Sequence, residues 1–235
     1  MIENLRTPKG IALIAVFAAL HTILSSLPYT ITIGVGGSIT LGVVSAPLIG
    51  IILGPLSGGI SVLIGSIIGM FINPAGAIFG VLSFLPATIG AFSAGFTIAK
   101  RGYISAAMIL ASILLFYSHP FGREAMFYPF LHIIALIVAL AFSTRLAVWS
   151  TELSNIKRLG LGVTVAAFVG TLTDHIFGSG LAIWYFNPGL IPEIWNSIIF
   201  IYPVERIVAV IITVAIALPL YYSLRKSGIY SIIKN

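Results

Sequence analysis

Long apolar runs recur along nearly the whole chain and constrain its fold more than any other feature of the sequence. Of the 235 residues, 59% are hydrophobic and 8% are charged, whereas ordinary soluble domains contain roughly 25% charged residues. A helix that spans a bilayer needs roughly 17 to 25 mostly apolar residues, so about six to eight spans fit and no sizeable soluble domain does. The sequence therefore predicts an all-α polytopic integral membrane protein, with residues 1–235 forming a single transmembrane domain.

The apolar runs give eight candidate spans. They cover residues 10–27, 39–53, 57–72, 77–99, 103–118, 128–149, 158–180 and 198–224. The second, third and fifth are short, so six crossings with re-entrant or tilted segments are the alternative. The first run follows a basic start but lacks a small-x-small cleavage site, and we therefore interpret it as a span rather than a signal peptide.

The basic residues indicate the orientation of the spans. Lys and Arg concentrate in cytoplasmic loops, and nine of the twelve fall on one side when the N-terminus is placed inside. These nine are Arg6, Lys9, Lys100, Arg101, Lys157, Arg158, Arg225, Lys226 and Lys234. We therefore expect both termini to be cytoplasmic, the chain to lie in the plasma membrane, and the net charge of +6 to reflect topology rather than nucleic-acid binding.

Ionisable residues within the apolar runs predict a polar layer in the outer half of the membrane. Asp174 and His175 lie about 24 Å along the seventh span at 1.5 Å per residue, and Glu205 and Arg206 lie about 10 Å below the outer end of the last span by the same rise. Adjacent helical residues point about 100° apart. The sequence therefore predicts pairs between helices, Asp174 with Arg206 and Glu205 with His175, rather than pairs of neighbours.

Two interpretations of this layer stay open. Charged groups in hydrocarbon normally pair with each other or face a cavity, so the layer either fastens two helices together or lines an outward-open pocket for a polar ligand. In the second case the candidate ligand-binding residues are Asp174, His175, Glu205, Arg206, Tyr202, His132 and Trp184. For Trp184, an interfacial aromatic belt is the alternative to stacking on a ligand.

Catalytic motifs are absent from the sequence of this layer. A Ser-His-Asp arrangement needs a nucleophile against the imidazole, and Ser179 has no G-x-S-x-G context. There is no H-E-x-x-H motif, no cysteine, and no pair of histidines four residues apart. We expect no catalytic residue, cofactor or metal, and a chain that is not an enzyme, with an intramembrane enzyme or a transition-metal site as weaker alternatives.

Small residues four apart form a further pattern. They place small side chains on one helix face, where helix backbones can approach closely in lipid, either within the chain or against a partner. The pairs are Ala15 and Ala19, Gly54 and Gly58, Gly65 and Gly69, and Gly76 and Gly80.

Three pieces of the first hundred residues carry a family resemblance. They are the first-helix run "ALIAVFAAL", the loop "PYTITIGVGGSIT" and the run "LGVVSAPLIGIILGPLSGGISVLIGSIIGMFINPAGAIFG", in which G-P-x-x-G-G stands between two short spans. In their order and spacing they resemble the substrate-binding S component of an energy-coupling factor (ECF) transporter. The second half of the chain departs from the family, whose members usually have six spans.

The resemblance implies an importer subunit that captures a small polar molecule, a vitamin or a vitamin precursor. Its implied partners are a membrane T component, which the A-x-x-x-A of Ala15 and Ala19 would contact, and cytoplasmic ATP-binding cassette ATPases. The loop after the first helix would gate the pocket, which maps onto Tyr29, Thr30, Gly34, Gly36, Gly37 and Ser38. The alternative function is a stand-alone ion-coupled secondary transporter in which Asp174, His175 and Glu205 carry protons or cations.

Overall fold

The computed structural model describes residues 7–27, 30–33, 37–143, 147–148, 155–187, 189 and 191–227. The α-helices are α1 (Pro8–Ser26), α2 (Leu41–Leu53), α3 (Pro55–Ile72), α4 (Leu85–Ile98), α5 (Gly102–Ser118), α6 (Pro120–Glu124), α7 (Phe130–Ala141), α8 (Ile156–Tyr185), α9 (Pro192–Ile198) and α10 (Tyr202–Lys226). Two strands, β1 (Thr30–Ile33) and β2 (Gly37–Thr40), lie between α1 and α2.

Each of the eight candidate spans overlaps one of the longer helices. By length and composition, five helical segments of the described residues are long and apolar enough to cross a membrane. They are Pro8–Ser26, Pro55–Ile72, Gly80–Ile98, Ile156–Tyr185 and Tyr202–Lys226, while α2, α5 and α7 are apolar but shorter. The structure thus agrees with the prediction of a helical, multi-pass membrane protein.

The segment between α1 and α2 adds a short hairpin to the helical fold. The strands β1 and β2 pair antiparallel, with Thr30 opposite Thr40 and Ile33 opposite Gly37. Because residues 37–40 belong to β2, the helix expected from residue 39 begins at Leu41. A hairpin is favoured here because the segment consists largely of β-branched residues and glycines, which are poor helix formers.

Helix α2 forms the centre of the bundle. It contacts α1, α3, α4, α8 and α10, and all of its residues except Leu41 and Val43 are buried. A helix that is apolar on every side is expected in such a position. At 13 residues it is about 20 Å long at 1.5 Å per residue, and other helices surround it along that length.

A sharp turn separates α2 from α3, as the G-P-x-x-G-G motif predicts. Gly54 has φ +79 and is followed by Pro55 at the first position of α3. Only glycine adopts such a φ without steric cost, and proline is well suited to the first helical turn because its missing N–H would have no partner there. The turn reverses the chain, so α3 packs back against α2.

The glycine pairs serve internal packing where they lie in helices. A Cβ added at Gly65 would lie 2.6 Å from the Ala18 carbonyl oxygen, and one at Gly69 would lie 2.9 Å from Ser25 Oγ. This pair therefore joins α3 to α1. By contrast, Gly76 and Gly80 lie in two separate 3-10 turns, Pro74–Gly76 and Gly80–Leu82, so the prediction that they share one helix face is wrong.

Candidate ligand cavity and a buried polar cluster

A cavity of about 640 Å³ opens at the end of the bundle where α1 and α3 finish and α2 and α4 begin. Its walls come from these four helices, from the 3-10 turns before α4, and from α8. The lining residues are His21, Ser25, Leu27, Gly42, Val43, Ser66, Gly69, Met70, Asn73, Ala75, Gly76, Ala77, Ile78, Phe79, Ser83, Pro86, Ala87 and Asp174. The β1–β2 hairpin connects two of its walls, because it lies between Leu27 and Gly42.

Among the residues that the structure describes, Asp174 is the one acidic residue of the lining. It lies on α8, is 8% exposed, and packs against α4 where Gly90 provides room, since a Cβ at Gly90 would lie 2.7 Å from Asp174 Cβ. Among the described residues its carboxylate has no hydrogen bond and no ion pair within 4 Å. Because Asp174 lines the cavity, its carboxylate is an acceptor that a ligand in the cavity can reach.

Another part of the cavity wall contains a histidine whose two ring nitrogens both have a hydrogen-bond partner. His21 on α1 is fully buried, and its Nδ1 lies 2.8 Å from Ser45 Oγ on α2 while its Nε2 lies 3.0 Å from Ser66 Oγ on α3. The two hydroxyls hold the imidazole between three helices. His21 therefore fixes the shape of the cavity wall, and the remaining polar lining includes Asn73 and Ser83.

A second polar region, the histidine–tyrosine cluster, lies between α7, α8 and α10 and consists of Tyr128, His132, His175, Ser179 and Tyr202. His132 Nε2 and His175 Nδ1 are 3.0 Å apart, and one of these nitrogens donates to the other. The Tyr128 hydroxyl lies 2.8 Å from Ser179 Oγ, and the Tyr202 hydroxyl donates to the Tyr128 carbonyl at 2.8 Å. The rings of His132 and Tyr202 stack with centroids 5.2 Å apart.

The charges of α10 pair within the helix, which corrects the predicted pairing. Arg206 Nη2 lies 3.5 Å from Glu205 Oε2, and both side chains are less than 10% exposed. The long arginine side chain folds back on its neighbour, because in an apolar interior any reachable counter-charge is preferred to none. Asp174 and Arg206 do not pair within 4 Å, although Arg206 still acts on Asp174 electrostatically, and His175 bonds to His132 rather than to Glu205.

Trp184 of α8 belongs neither to the cavity nor to the histidine–tyrosine cluster, and it packs against the end of α5. Its Nε1–H lies within hydrogen-bond distance of the Leu115 carbonyl at 3.3 Å and of Ser118 Oγ at 3.2 Å. Its ring meets His119 edge to face, and it is 49% exposed. Since it does not line the cavity, its environment favours the interpretation as an aromatic residue at the end of the bundle.

Seven residues were predicted as one ligand site, and the structure divides them. Asp174 lines the cavity, whereas His132, His175 and Tyr202 belong to the histidine–tyrosine cluster and Glu205 and Arg206 form the ion pair. The proposed gating residues Thr30, Gly37 and Ser38 lie in the hairpin strands, and Tyr29, Gly34 and Gly36 lie outside the described residues. No three His, Asp or Glu side chains of the described part of the chain could share a metal ion.

Sequence reasoning missed most of the cavity lining. Ser66, Asn73, Phe79 and Ser83 are uncharged, so the search for ionisable groups in apolar runs passed over them. One signal was available in the sequence: Asn73 directly follows the apolar run 57–72, where a polar residue ends a span next to a Pro-Ala-Gly turn.

The comparisons with known proteins identify one related chain and no function. No family model matches this sequence, and no solved structure matches it. An uncharacterized protein of Methanocaldococcus jannaschii is 33% identical over 155 residues, which cover 66% of this chain and 51% of that protein. The chain thus spans about half the length of the curated relative it matches, and the name of that relative gives no ligand or reaction.

Proposed function

We propose that this chain is the substrate-binding subunit of an ECF-type importer, which captures a small polar micronutrient from outside the cell. The observation that carries the proposal is the cavity at one end of the bundle with the unpaired Asp174 carboxylate in its wall. Its volume of about 640 Å³ lies within the range of roughly 300 to 1,000 Å³ found for small-molecule sites. Its lining is mostly apolar with a few polar groups, as is usual in such sites.

The proposed topology places this cavity toward the outside. With an even number of spans, up to eight, and both termini cytoplasmic, α1 and α3 run outward and end at the cavity. The basic pair Lys100 and Arg101, between α4 and α5, then lies at the opposite, cytoplasmic end. The hairpin adjoins the outer mouth, which is where the ECF resemblance locates a gate.

The exposed face of α1 supports a docking role toward a T component. The buried residues Ile14, Ala18, His21 and Thr22 form one face of the helix, and Ala15 and Ala19 lie exposed on another. Small exposed side chains let a second helix approach the backbone closely in lipid. This face would transmit ATP-driven movement from the T component and its ATPases.

A large side chain introduced on this face of α1 tests docking to the T component separately from ligand capture. We expect Ala15→Trp to reduce co-purification of the T component with the chain by about tenfold or more, a loss of ~1.4 kcal/mol, because an indole keeps the helices apart. The small molecule released from the denatured chain, identified by mass spectrometry, should be the same as from the wild type. The matched control is Ala111→Trp at an exposed position of α5. An equal loss in both variants, or loss of the small molecule in Ala15→Trp alone, would contradict this docking surface.

The buried ionisable groups favour a second candidate function, a stand-alone ion-coupled secondary transporter. His132, His175, Glu205 and Arg206 lie buried or half-buried within the membrane-spanning part, and such groups occur in proton and ion pathways. Glu205 Oε1 and Arg206 Nε have no hydrogen-bond partner among the described residues. Accumulation of the co-purified compound by this chain alone in proteoliposomes, driven by a proton or sodium gradient, would favour this candidate over the importer subunit.

A further inference from the structure

The cavity has an uncompensated negative charge. Asp174 is 8% exposed and lines the cavity, and none of the described residues satisfies its carboxylate. Charged groups in the membrane-spanning part of a protein pair with a counter-charge or face a cavity, and the Asp174 carboxylate faces this cavity.

In the part of the chain that the structure describes, no cation of the cavity wall balances this charge. None of the lining residues is Lys or Arg, and residues 28–40, which include the hairpin, contain neither of them. His21 lies in the wall, but its two nitrogens are already engaged by Ser45 and Ser66. The segment that connects these walls therefore contributes no lysine or arginine.

The nearby guanidinium does not fill this role. Arg206 acts on Asp174 electrostatically, but it is not part of the lining, and its Nη2 lies 3.5 Å from Glu205 Oε2. Among the described residues, the Glu205–Arg206 pair is neutral as a unit, and the Asp174 carboxylate has no cation within 4 Å. An anionic ligand would meet a carboxylate without a cation to oppose it.

From this arrangement we infer that the ligand of the cavity is a small organic cation whose positively charged N–H group pairs with Asp174. The inference rests on the proposed function of ligand capture and narrows its substrate class to protonated amines, amidines and related bases. The rest of the ligand has an apolar part, since Leu27, Met70 and Phe79 line the same space. An inorganic ion alone would leave most of a cavity of about 640 Å³ unfilled.

The charge of the ligand can be tested before its identity is known. The dialysable small molecules of a yeast extract are separated at pH 7 by ion exchange into cationic, neutral and anionic fractions. Each fraction is added to the full chain, purified in detergent, and the melting temperature is measured. The cationic fraction should raise it by about 5 °C, as expected for a ligand present at ~100 times its Kd, and the other two fractions should not.

Variants then assign the effect to Asp174. In Asp174→Asn, at least about 30 times more of the cationic fraction should be needed for the same shift, because a buried charge loses its partner. Ala87→Lys retains Asp174 but introduces an ammonium from another wall, and it should likewise raise the amount of the cationic fraction that is needed for the same shift. Glu193→Gln removes an exposed carboxylate of α9 and should respond like the wild type.

Each outcome decides the inference. A shift with the neutral or anionic fraction instead would contradict the inference that the ligand is a cation, but not the proposed function of ligand capture. No shift with any fraction would contradict both the inference and the proposed function. An unchanged response in Ala87→Lys, or in a folded Asp174→Asn, overturns the pairing with Asp174. The comparison of fractions uses the wild-type chain and therefore decides the charge of the ligand even where Asp174→Asn does not fold.

Discussion

At the scale of single residues, glycines set how closely the helices approach. A Cβ added at Gly50 would lie 2.1 Å from the carbonyl oxygen of Ala91, so α2 and α4 are in direct backbone contact there. Gly90 and Gly170 likewise allow the backbones of α4 and α8 to approach closely next to Asp174. The cavity wall thus depends on residues without side chains, because any added atom would move α4 away from its neighbours.

Gly50→Ala tests this contact. We expect a loss in the free energy of unfolding of about 2 kcal/mol or more, because the added methyl group has no room against rigid backbone. Thermal unfolding of the purified protein in detergent measures the change. The matched control is Gly160→Ala in α8, where the nearest atom to an added Cβ is Leu218 Cδ2 at 3.5 Å. There the higher helix propensity of alanine should leave stability unchanged or increase it, so equal losses at the two sites would contradict the packing argument.

At the scale of helices, α8 serves two polar regions through adjacent residues. Asp174 faces α4 and the cavity, while His175 bonds to His132 on α7. Sequence reasoning predicted that these neighbours diverge, since helical geometry separates them by about 100°. It misassigned the partners of α8 and α10, because the partner of a buried charge depends on helix rotation and side-chain reach. Adjacent residues of a helix point about 100° apart, which keeps short side chains from pairing. The arginine side chain is long enough to overcome this separation, and Arg206 reaches Glu205 within α10.

The ion pair of α10 gives a prediction at this scale. Glu205→Leu alone should lower the free energy of unfolding by about 3 kcal/mol, because it leaves Arg206 buried without a counter-charge. The double variant Glu205→Leu/Arg206→Met should be more stable than that single variant, since both desolvated charges are gone. Thermal unfolding of the single and double variants measures the coupling. A double variant whose loss equals the sum of the losses in Glu205→Leu alone and in Arg206→Met alone would show that the two side chains act independently.

At the scale of the whole molecule, the cavity is assembled from distant parts of the chain. Its lining extends from His21 to Asp174, and α8 contacts α2, α4, α5, α7 and α10. The N-terminal and C-terminal halves of the chain therefore meet at one site. A function assigned from the first half alone would omit the carboxylate that gives the cavity its charge.

The orientation of the molecule can be tested with single cysteines, because the natural chain contains none. Met126→Cys lies in the exposed turn between α6 and α7, and it should react with a membrane-impermeant maleimide on intact cells. Arg101→Cys, at the turn between α4 and α5, should react only after permeabilisation, because lysine and arginine cluster on the cytoplasmic side. Gel-shift labelling measures both, with the cysteine-free chain as the control. The reverse pattern of labelling would place the cavity on the cytoplasmic side.

The helical, membrane-spanning character of the chain, the approximate positions of its helices and the turn at Gly54 all follow from the amino-acid sequence, because hydropathy and backbone sterics act between residues close in the chain. Asp174 was also found in this way, as an acid within an apolar run. That Asp174 shares a cavity with His21 and Asn73, and not with Glu205, depended on the tertiary structure. The physical reason is that close contacts such as those at Gly50 and Gly90 fix the rotation and spacing of the helices, and these contacts form between residues far apart in the chain.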